Sequence, residues 1–283
     1  MRDSVDALAL RDALGPGSRW LVEVHASVGS TNAEALADPS PWRVVVADHQ
    51  RAGRGRLQRR WEAPPRSSVA VSVVLPLDEV TSQPGWLPLL TGMAMHRAVA
   101  SLTVPSGSAA LGDRVALKWP NDLLARETPA ADAPWRKLCG VLCELVPARS
   151  AAVCGAGINV DQDRGELPVP TATSLALCGL PEASREQLLA AYLRHLLDGY
   201  DAWRSGEPGL ERVRTAYRRA CLTIGQQVRV HRPGAGLVRG RAVEVDDEGR
   251  LVVDTPEGRR AHAAGDVEHV RPEGMSEAAG TAR

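Results

Sequence analysis

Residues 49–61 read HQRAGRGRLQRRW: five arginines and two glycines in thirteen positions. The chain around them is electrically balanced, with 34 basic and 34 acidic residues among 283. Arginine offers a planar fork of donors matched to phosphate and carboxylate. Gly53 and Gly55 alternate with Arg54 and Arg56, so the backbone can turn sharply and bring its N–H groups to an anion beside the guanidinium groups. Three readings fit the run taken alone. It is a solvated surface loop, an RNA-contacting arginine–glycine segment, or a cradle for the phosphates of a small molecule. RNA-binding segments of this kind normally lie in longer low-complexity tracts. Trp61 closes the run and can pack on a heterocyclic ligand or lock the loop, which favours the cradle.

The rest of the composition narrows the class. Hydrophobic residues make up 44%, so the chain folds rather than staying disordered. Phenylalanine is absent, which leaves Leu, Val, Ala and seven tryptophans to build the core. A general nucleic-acid coat protein would be basic overall, and this chain has a pI near 7.1. No apolar run approaches the roughly 20 residues of a membrane span. The start, MRDSVDALALRDALGPG, lacks a signal peptide's basic and apolar regions. A cytoplasmic location is the expectation. Five cysteines, at 139, 143, 154, 178 and 221, form no CxxC pair and have no histidine cluster beside them. They are expected to be reduced and buried, with Cys139 and Cys143 on one face of a shared strand. No metal site is expected.

Working outward from the arginine run, WLVEVHASVGS (20–30) alternates as a strand and leads into a helix over about 32–37, with Thr31 and Glu34 at capping-box spacing. WRVVVADHQ (42–50) and SSVAVSVVLPL (67–77) are strands, and residues 86–101 a helix. VALKWPNDLLA (115–125) and KLCGVLCELV (137–146) are strands able to pair across a long loop, with Pro120 breaking the ladder of the first. AAVCGAGINV (151–160) is a buried strand. Ser184 and Gln187 open a long amphipathic helix, and another covers 207–219. From Leu222 onward short period-two runs (QVRV, RAVEV, LVVDT, DVEHV) alternate with turns, the pattern of a small SH3-like β-barrel. The fold class is therefore α+β: a mixed or antiparallel sheet backed by helices over residues 1–220, the barrel over 221–272, and a flexible tail over 273–283.

No G-x-x-x-x-G-K-[ST] and no G-x-G-x-x-G occurs, so neither glycine-rich fingerprint supplies a nucleotide site. Other polar groups stand in suggestive places. STN (30–32) sets two hydroxyls and an amide at a helix start. KWPND (118–122) puts Lys118, Asn121 and Asp122 at a strand end, Lys137 opens KLCG, and GAGINV (155–160) is a small-residue strand ending near Asn159. Each alone is weak and reads more often as a structural cap or turn than as part of a site.

Together and in this order, STN, GRGR with Trp61, KWPNDL, KLCGVLCEL and GAGINV resemble the biotin protein ligases, over roughly residues 20–272. Two departures stand out. The family loop commonly reads GRGR-x-G-R-x-W, and here Gln58 replaces the third glycine; residues 126–136 form an unusual insertion. Only 29 residues precede STN, less than the N-terminal DNA-binding domain of bifunctional members, so the resemblance is to the monofunctional class, with no DNA partner expected.

The resemblance implies a class II synthetase-like catalytic domain. It also implies a two-step reaction: biotin and ATP, with Mg²⁺, give biotinyl-5′-AMP, and the biotinyl group then passes to a lysine of a biotin carboxyl carrier domain of acyl-CoA or pyruvate carboxylases. It assigns Ser30, Thr31, Asn32 and Gln50 to the biotin ring. Arg54, Gly55 and Arg56 fall over the biotin chain and phosphates, Lys137 at the carboxylate and α-phosphate, and Gly155 and Gly157 at the pocket floor. Arg59, Trp61, Asn121 and Asn159 fall on the nucleotide side. Lys137, Arg54, Arg56 and Asp122 are the expected catalytic group, with Asp122 either orienting Lys137 or acting on the incoming lysine. The loop over about 52–60 is expected to order over the ligand and exclude water. A monomer or homodimer is expected, off the membrane. The alternatives are a lipoate ligase of the same fold type and a biotin-sensing nucleic-acid binder.

Overall fold

The computed structural model describes residues 2–77, 83–102, 111–232, 236–263 and 265–270. The tail expected over 273–283 lies outside the described residues. The N-terminal part contains α1 (Ala7–Leu14), β1 (Leu21–His25), α2 (Thr31–Ala37), β2 (Arg43–Ala47), β3 (Gly53–Arg54), β4 (Arg60–Trp61), β5 (Ser68–Pro76), α3 (Leu87–Ala100), β6 (Val115–Lys118), β7 (Asp122–Ala125), β8 (Arg136–Val146), β9 (Ala151–Asn159), α4 (Arg185–Arg204) and α5 (Gly209–Ala220). The C-terminal part contains β10 (Gln227–Arg232), β11 (Gly236–Val245), β12 (Leu251–Thr255), β13 (Gly258–His262) and β14 (Asp266–His269).

Seven strands form one sheet in the order β1-β2-β5-β9-β8-β7-β6. β1 and β2 run parallel and every other neighbouring pair antiparallel, so the sheet is mixed. Strand periodicity decides which residues reach each face. Val44 and Val46 of β2, Val69, Val71, Val73 and Leu75 of β5, and Ala152, Cys154, Ala156 and Ile158 of β9 enter the large core under α3 and α4. Alternate residues Val45, Val74, Ala151 and Val153 pack with Ala35 of α2 in a smaller cluster on the other face. Burying each large aliphatic side chain contributes about 1.5–3 kcal/mol. On that second face the same alternation continues through Ser72, Gly155, Gly157, Gly140 and Glu144, where apolar residues give way to small and polar ones.

Two local readings need correction. The 115–125 segment is not one strand but a hairpin, β6 and β7, which turns at the Trp119-Pro120-Asn121 step that the proline marks. The capping box at Thr31 does not form. Ser30 is the N-cap, without a side-chain cap bond, and Thr31 is the first helical residue. Its hydroxyl turns instead to Gln50, as described below. Ser184 does cap α4, accepting from the Gln187 amide. All five cysteines are free; Cys139 and Cys143 share one face of β8 as expected, Cys143 is half-buried, and it stands opposite Cys154 across the ladder.

The C-terminal strands form a separate five-stranded antiparallel sheet, ordered β13-β12-β11-β10-β14. β13, GRRAH, is the strand that the periodic reading missed, because four of its five residues are exposed and only His262 is buried. Two indole N–H groups fix this sheet to the N-terminal part. Trp119 Nε1 donates to Gly249 O at 3.0 Å and Trp86 Nε1 to Asp247 O at 2.8 Å. Arg214, only 6% exposed, adds ion pairs to Glu207 and Asp247. Among the described residues no helix is long and apolar enough to cross a membrane.

Candidate active site

A cleft of about 800 Å³, open solvent included, lies on the α2 side of the large sheet. Its inner end is a buried polar network. Ser30, Thr31 and Asn32 are each under 5% exposed. The Thr31 amide donates to Gln50 Oε1 at 2.8 Å and its hydroxyl to the same oxygen at 3.2 Å. Ser72 Oγ, fully buried, lies 2.8 Å from Thr31 Oγ1 and 2.6 Å from Asn32 Oδ1. Asn32 Nδ2 donates to Leu142 O at 3.1 Å and to Glu144 Oε2 at 2.8 Å. Two close approaches require glycine. A Cβ on Gly155 would stand 1.9 Å from Asn32 Oδ1, and one on Gly157 would stand 2.6 Å from the Trp61 ring. The floor is therefore flat because an amide and an indole lie directly on it.

The outer end holds the cations. β3 and β4 pair as a short ribbon, Gly53 opposite Trp61 and Arg54 opposite Arg60, so the arginine run is a built hairpin rather than an open loop. At its tip Leu57 (φ 54°) and Gln58 (φ 61°) both adopt the left-handed conformation. The position where the family pattern has glycine is thus one where the backbone favours glycine. Arg54, Arg56 and Arg59 each have a protein acceptor. Arg54 Nη2 lies 2.9 Å from Glu144 Oε1, Arg59 pairs with Asp266, and Arg56 Nη1 donates to Asn121 Oδ1 and to Gly265 O, both at 3.3 Å. Burial holds the Arg56 guanidinium below its ordinary pKa, with Asp122 and Asp266 acting in the opposite sense. The hydrogen bond to Asp266 raises Arg59. Burial raises Asp266 too, but hydrogen bonding and charge from Arg59, with Lys118 and Arg56, outweigh it and hold the carboxyl below its usual range. Trp61 Nε1 is buried and has no hydrogen-bond partner among the described residues.

Lys137 stands between the two ends. Its Nζ is 2.6 Å from Asp122 Oδ1. Its backbone is clamped by the 171–173 segment: the Lys137 amide donates to Thr171 O at 2.8 Å, and Lys137 O accepts from the Thr173 amide at 2.9 Å. Behind this clamp Glu127 accepts from Thr173 Oγ1 at 2.7 Å and pairs with Arg164 and Arg136. The 126–136 insertion folds back on itself, with the Arg126 guanidinium 4.5 Å from the Trp135 ring centroid, and the β7–β8 ladder it joins shifts register between Leu123 and Leu124, opposite Cys139 and Lys137.

Ser30, Thr31, Asn32, Gln50, Arg54, Gly55, Arg56, Arg59, Trp61, Asn121, Asp122, Lys137, Gly155 and Gly157 all line this one cleft. Asn159 does not. It is 3% exposed, and its amide donates to Thr173 O at 2.9 Å and accepts from Gln162 Nε2 at 3.0 Å, so it braces the segment that clamps Lys137. Sequence reasoning missed Ser72, Glu144 and Asp266. The first two are alternate residues in apolar strands, where only the period-two face assignment exposes them. Asp266 comes from the C-terminal sheet, and no local pattern links it to Arg59.

Comparison with known proteins gives the same reading of these motifs. The Biotin/lipoate A/B protein ligase family matches residues 26–163, and the Biotin protein ligase C terminal domain matches residues 223–270. The biotin--[acetyl-CoA-carboxylase] ligase of Mycobacterium tuberculosis is 39% identical over 280 residues, 96% of this chain and 98% of that protein. The bifunctional ligase/repressor BirA of Bacillus spizizenii is 30% identical over 87% of this chain and 72% of its own length. Among solved structures, biotin protein ligase from Aquifex aeolicus in complex with biotin and ATP superposes with a TM-score of 0.70 at 25% identity, covering 88% of this chain and 98% of that one. Given near full-length similarity, both matched domains and one cleft holding all the motifs but Asn159, the chain belongs to the biotin protein ligase family.

Proposed function

We propose that this cleft activates biotin with ATP and then delivers it to protein. The chain is an ATP-dependent biotin protein ligase. A biotin carboxylate oxygen attacks the α-phosphorus of ATP, the bond to pyrophosphate breaks, and biotinyl-5′-AMP forms. The amine of an acceptor lysine then attacks the acyl carbon, AMP leaves with the bonding pair, and an amide forms. Both reactants of the first step are anions, so the main barrier is electrostatic. Donors already fixed in a partly desolvated cleft lower it, because they need no reorganisation as charge builds on the phosphate. The observation that carries this reading is the position of Lys137, beside Asp122 and between the STN end and the arginine hairpin.

In this reading the ring end (Ser30, Thr31, Asn32, Gln50, with Gly155 and Gly157 beneath) takes biotin. Arg54, Gly55, Arg56 and Lys137 face its carboxylate and the phosphates. Arg59, Trp61 and Asn121 take the nucleotide, and the unpartnered Trp61 N–H suits an acceptor on the ligand. The 2.6 Å pair with Lys137 supports the orienting role for Asp122. Among the described residues no group of three or more His, Cys, Asp or Glu is placed to hold a metal. Mg²⁺ enters this reading as part of MgATP, held mainly by phosphate oxygens. The carrier domains of acyl-CoA and pyruvate carboxylases are the acceptors we propose, and five free cysteines support a cytoplasmic location.

Incubation with MgATP and radiolabelled biotin, with and without an isolated biotin carboxyl carrier domain, tests the reading. Labelled adenylate forms without acceptor, and labelled carrier lysine forms with it. Labelling by lipoate in place of biotin would move the protein to the lipoate branch of the same family.

A further inference from the structure

Glu144 lies on the cleft face of β8, and its two oxygens serve different partners. Oε2 accepts from Asn32 Nδ2 at 2.8 Å, at the ring end; Oε1 pairs with Arg54 Nη2 at 2.9 Å, on the arginine hairpin. These bonds close an unbroken polar chain, Gln50–Thr31–Ser72–Asn32–Glu144–Arg54. The chain starts and ends within the same 49–61 segment. Asn32 has no freedom in it. Ser72 bonds its oxygen, Leu142 O and Glu144 take both protons of its amide nitrogen, and Gly155 presses on it from below. Glu144 is thus held rigidly from the ring side, whereas Arg54 is 48% exposed and depends on Glu144 for its position.

We infer that Glu144 is a positioning residue for adenylation: it fixes the Arg54 guanidinium at the edge of the cleft, so that the hairpin closes on the biotin carboxylate and phosphates from a set starting point. This rests on the reading of the cleft as the biotin and nucleotide site. Without the carboxylate, Arg54 is a long, exposed side chain that must be ordered each time substrate binds. Glu144 touches neither reacting atom, so its influence passes through its two partners, Arg54 and Asn32, and a variant that keeps the Asn32 bond isolates the Arg54 route.

A double-mutant cycle tests this on the full chain. Glu144→Gln keeps an acceptor for Asn32 and removes the charge that holds Arg54; an ion pair this exposed contributes little to folding, so thermal unfolding serves as the control. Biotin-dependent pyrophosphate exchange into ATP gives kcat/KM for biotin in the wild type, Glu144→Gln, Arg54→Ala and the double variant. The expected result is a loss of roughly tenfold for Glu144→Gln in the wild-type background and no further loss on top of Arg54→Ala, the non-additivity of residues that act as a unit. Glu144→Asp, which keeps the charge but retracts it, falls between wild type and Gln and stands in if the Gln variant unfolds. Unchanged or raised kcat/KM in Glu144→Gln, or the same loss in both backgrounds, overturns the inference. Absence of exchange in the wild type would instead count against the ligase reading itself.

Discussion

At the scale of single residues, the proposed chemistry depends on where one ammonium group is held. Lys137 is tied by its side chain to Asp122 and by its backbone to Thr171 and Thr173, so its Nζ occupies a defined point between the ring end and the arginines. A donor of this kind, aimed at charge that develops in the transition state, is worth about 10²–10³ in rate. Lys137→Ala is expected to lose about that much in adenylate formation. Transfer from supplied biotinyl-5′-AMP to a carrier domain should fall far less, because the anion–anion step has been bypassed. Single-turnover assays of each step separate the two, and equal losses in both would contradict a role specific to adenylation. Most of this site was legible residue by residue, because STN, GRGR, KWPND and KLCG are local strings. Asn159 was legible as a polar residue but not as a brace. Its partners Thr173 and Gln162 are fixed only when the 160–175 segment folds back along β9.

At the scale of elements, the arginine run is a ribbon with a strained tip, not a featureless loop. Like charges on Arg54 and Arg60 stand opposite each other, and the ribbon persists because Glu144 and Asp266 take up the charge of its arginines. Gln58 at φ 61° carries a left-handed backbone that costs an L-residue about 1–2 kcal/mol, while glycine there gives back about 0.4–1 kcal/mol through the unfolded chain. Gln58→Gly is therefore expected to raise unfolding stability by about 0.5–1 kcal/mol, measured by denaturant titration. A loss of stability would mean that the Gln58 side chain supplies a contact outweighing the strain. Strand and helix periods revealed most of the elements that build the large sheet, since β2, β5 and β9 alternate cleanly between two cores. They did not reveal the β6–β7 reversal as two strands, because both arms are apolar, nor β13, whose polar residues give no period. Propensity at Thr31 suggested a cap, but tertiary partners Gln50 and Ser72 claim that hydroxyl instead.

At the scale of the whole molecule, the C-terminal sheet completes the cleft. It supplies Gly265 O to Arg56 and Asp266 to Arg59, and it holds the KWPND turn through Trp119. The same joint contains His269, whose Nε2 lies 3.1 Å from Thr223 Oγ1, the group that accepts from the Trp119 amide. Burial, with the charge of Lys118, lowers His269 to about 4. The unfolded chain binds that proton near pH 6.5 and the folded one only near 4, so the unfolded state carries more protons between these values. Stability is full above about pH 6.5 and declines as pH falls toward 4. His269→Gln should flatten the melting temperature over that window; an unchanged slope would place the acid sensitivity elsewhere. Contacts between the two parts of the chain were the least legible feature of all, because residues 56 and 265 meet only after both have folded. The central claim is that the assembled cations of this cleft make biotin and ATP react. Biotin-dependent exchange of labelled pyrophosphate into ATP, wild type beside Arg56→Ala, measures it most directly. Exchange is expected in the wild type only when biotin is present, with a loss of about 10²–10³ in the variant and no change in fold. Exchange that ignores biotin, or a variant as active as the wild type, would contradict it.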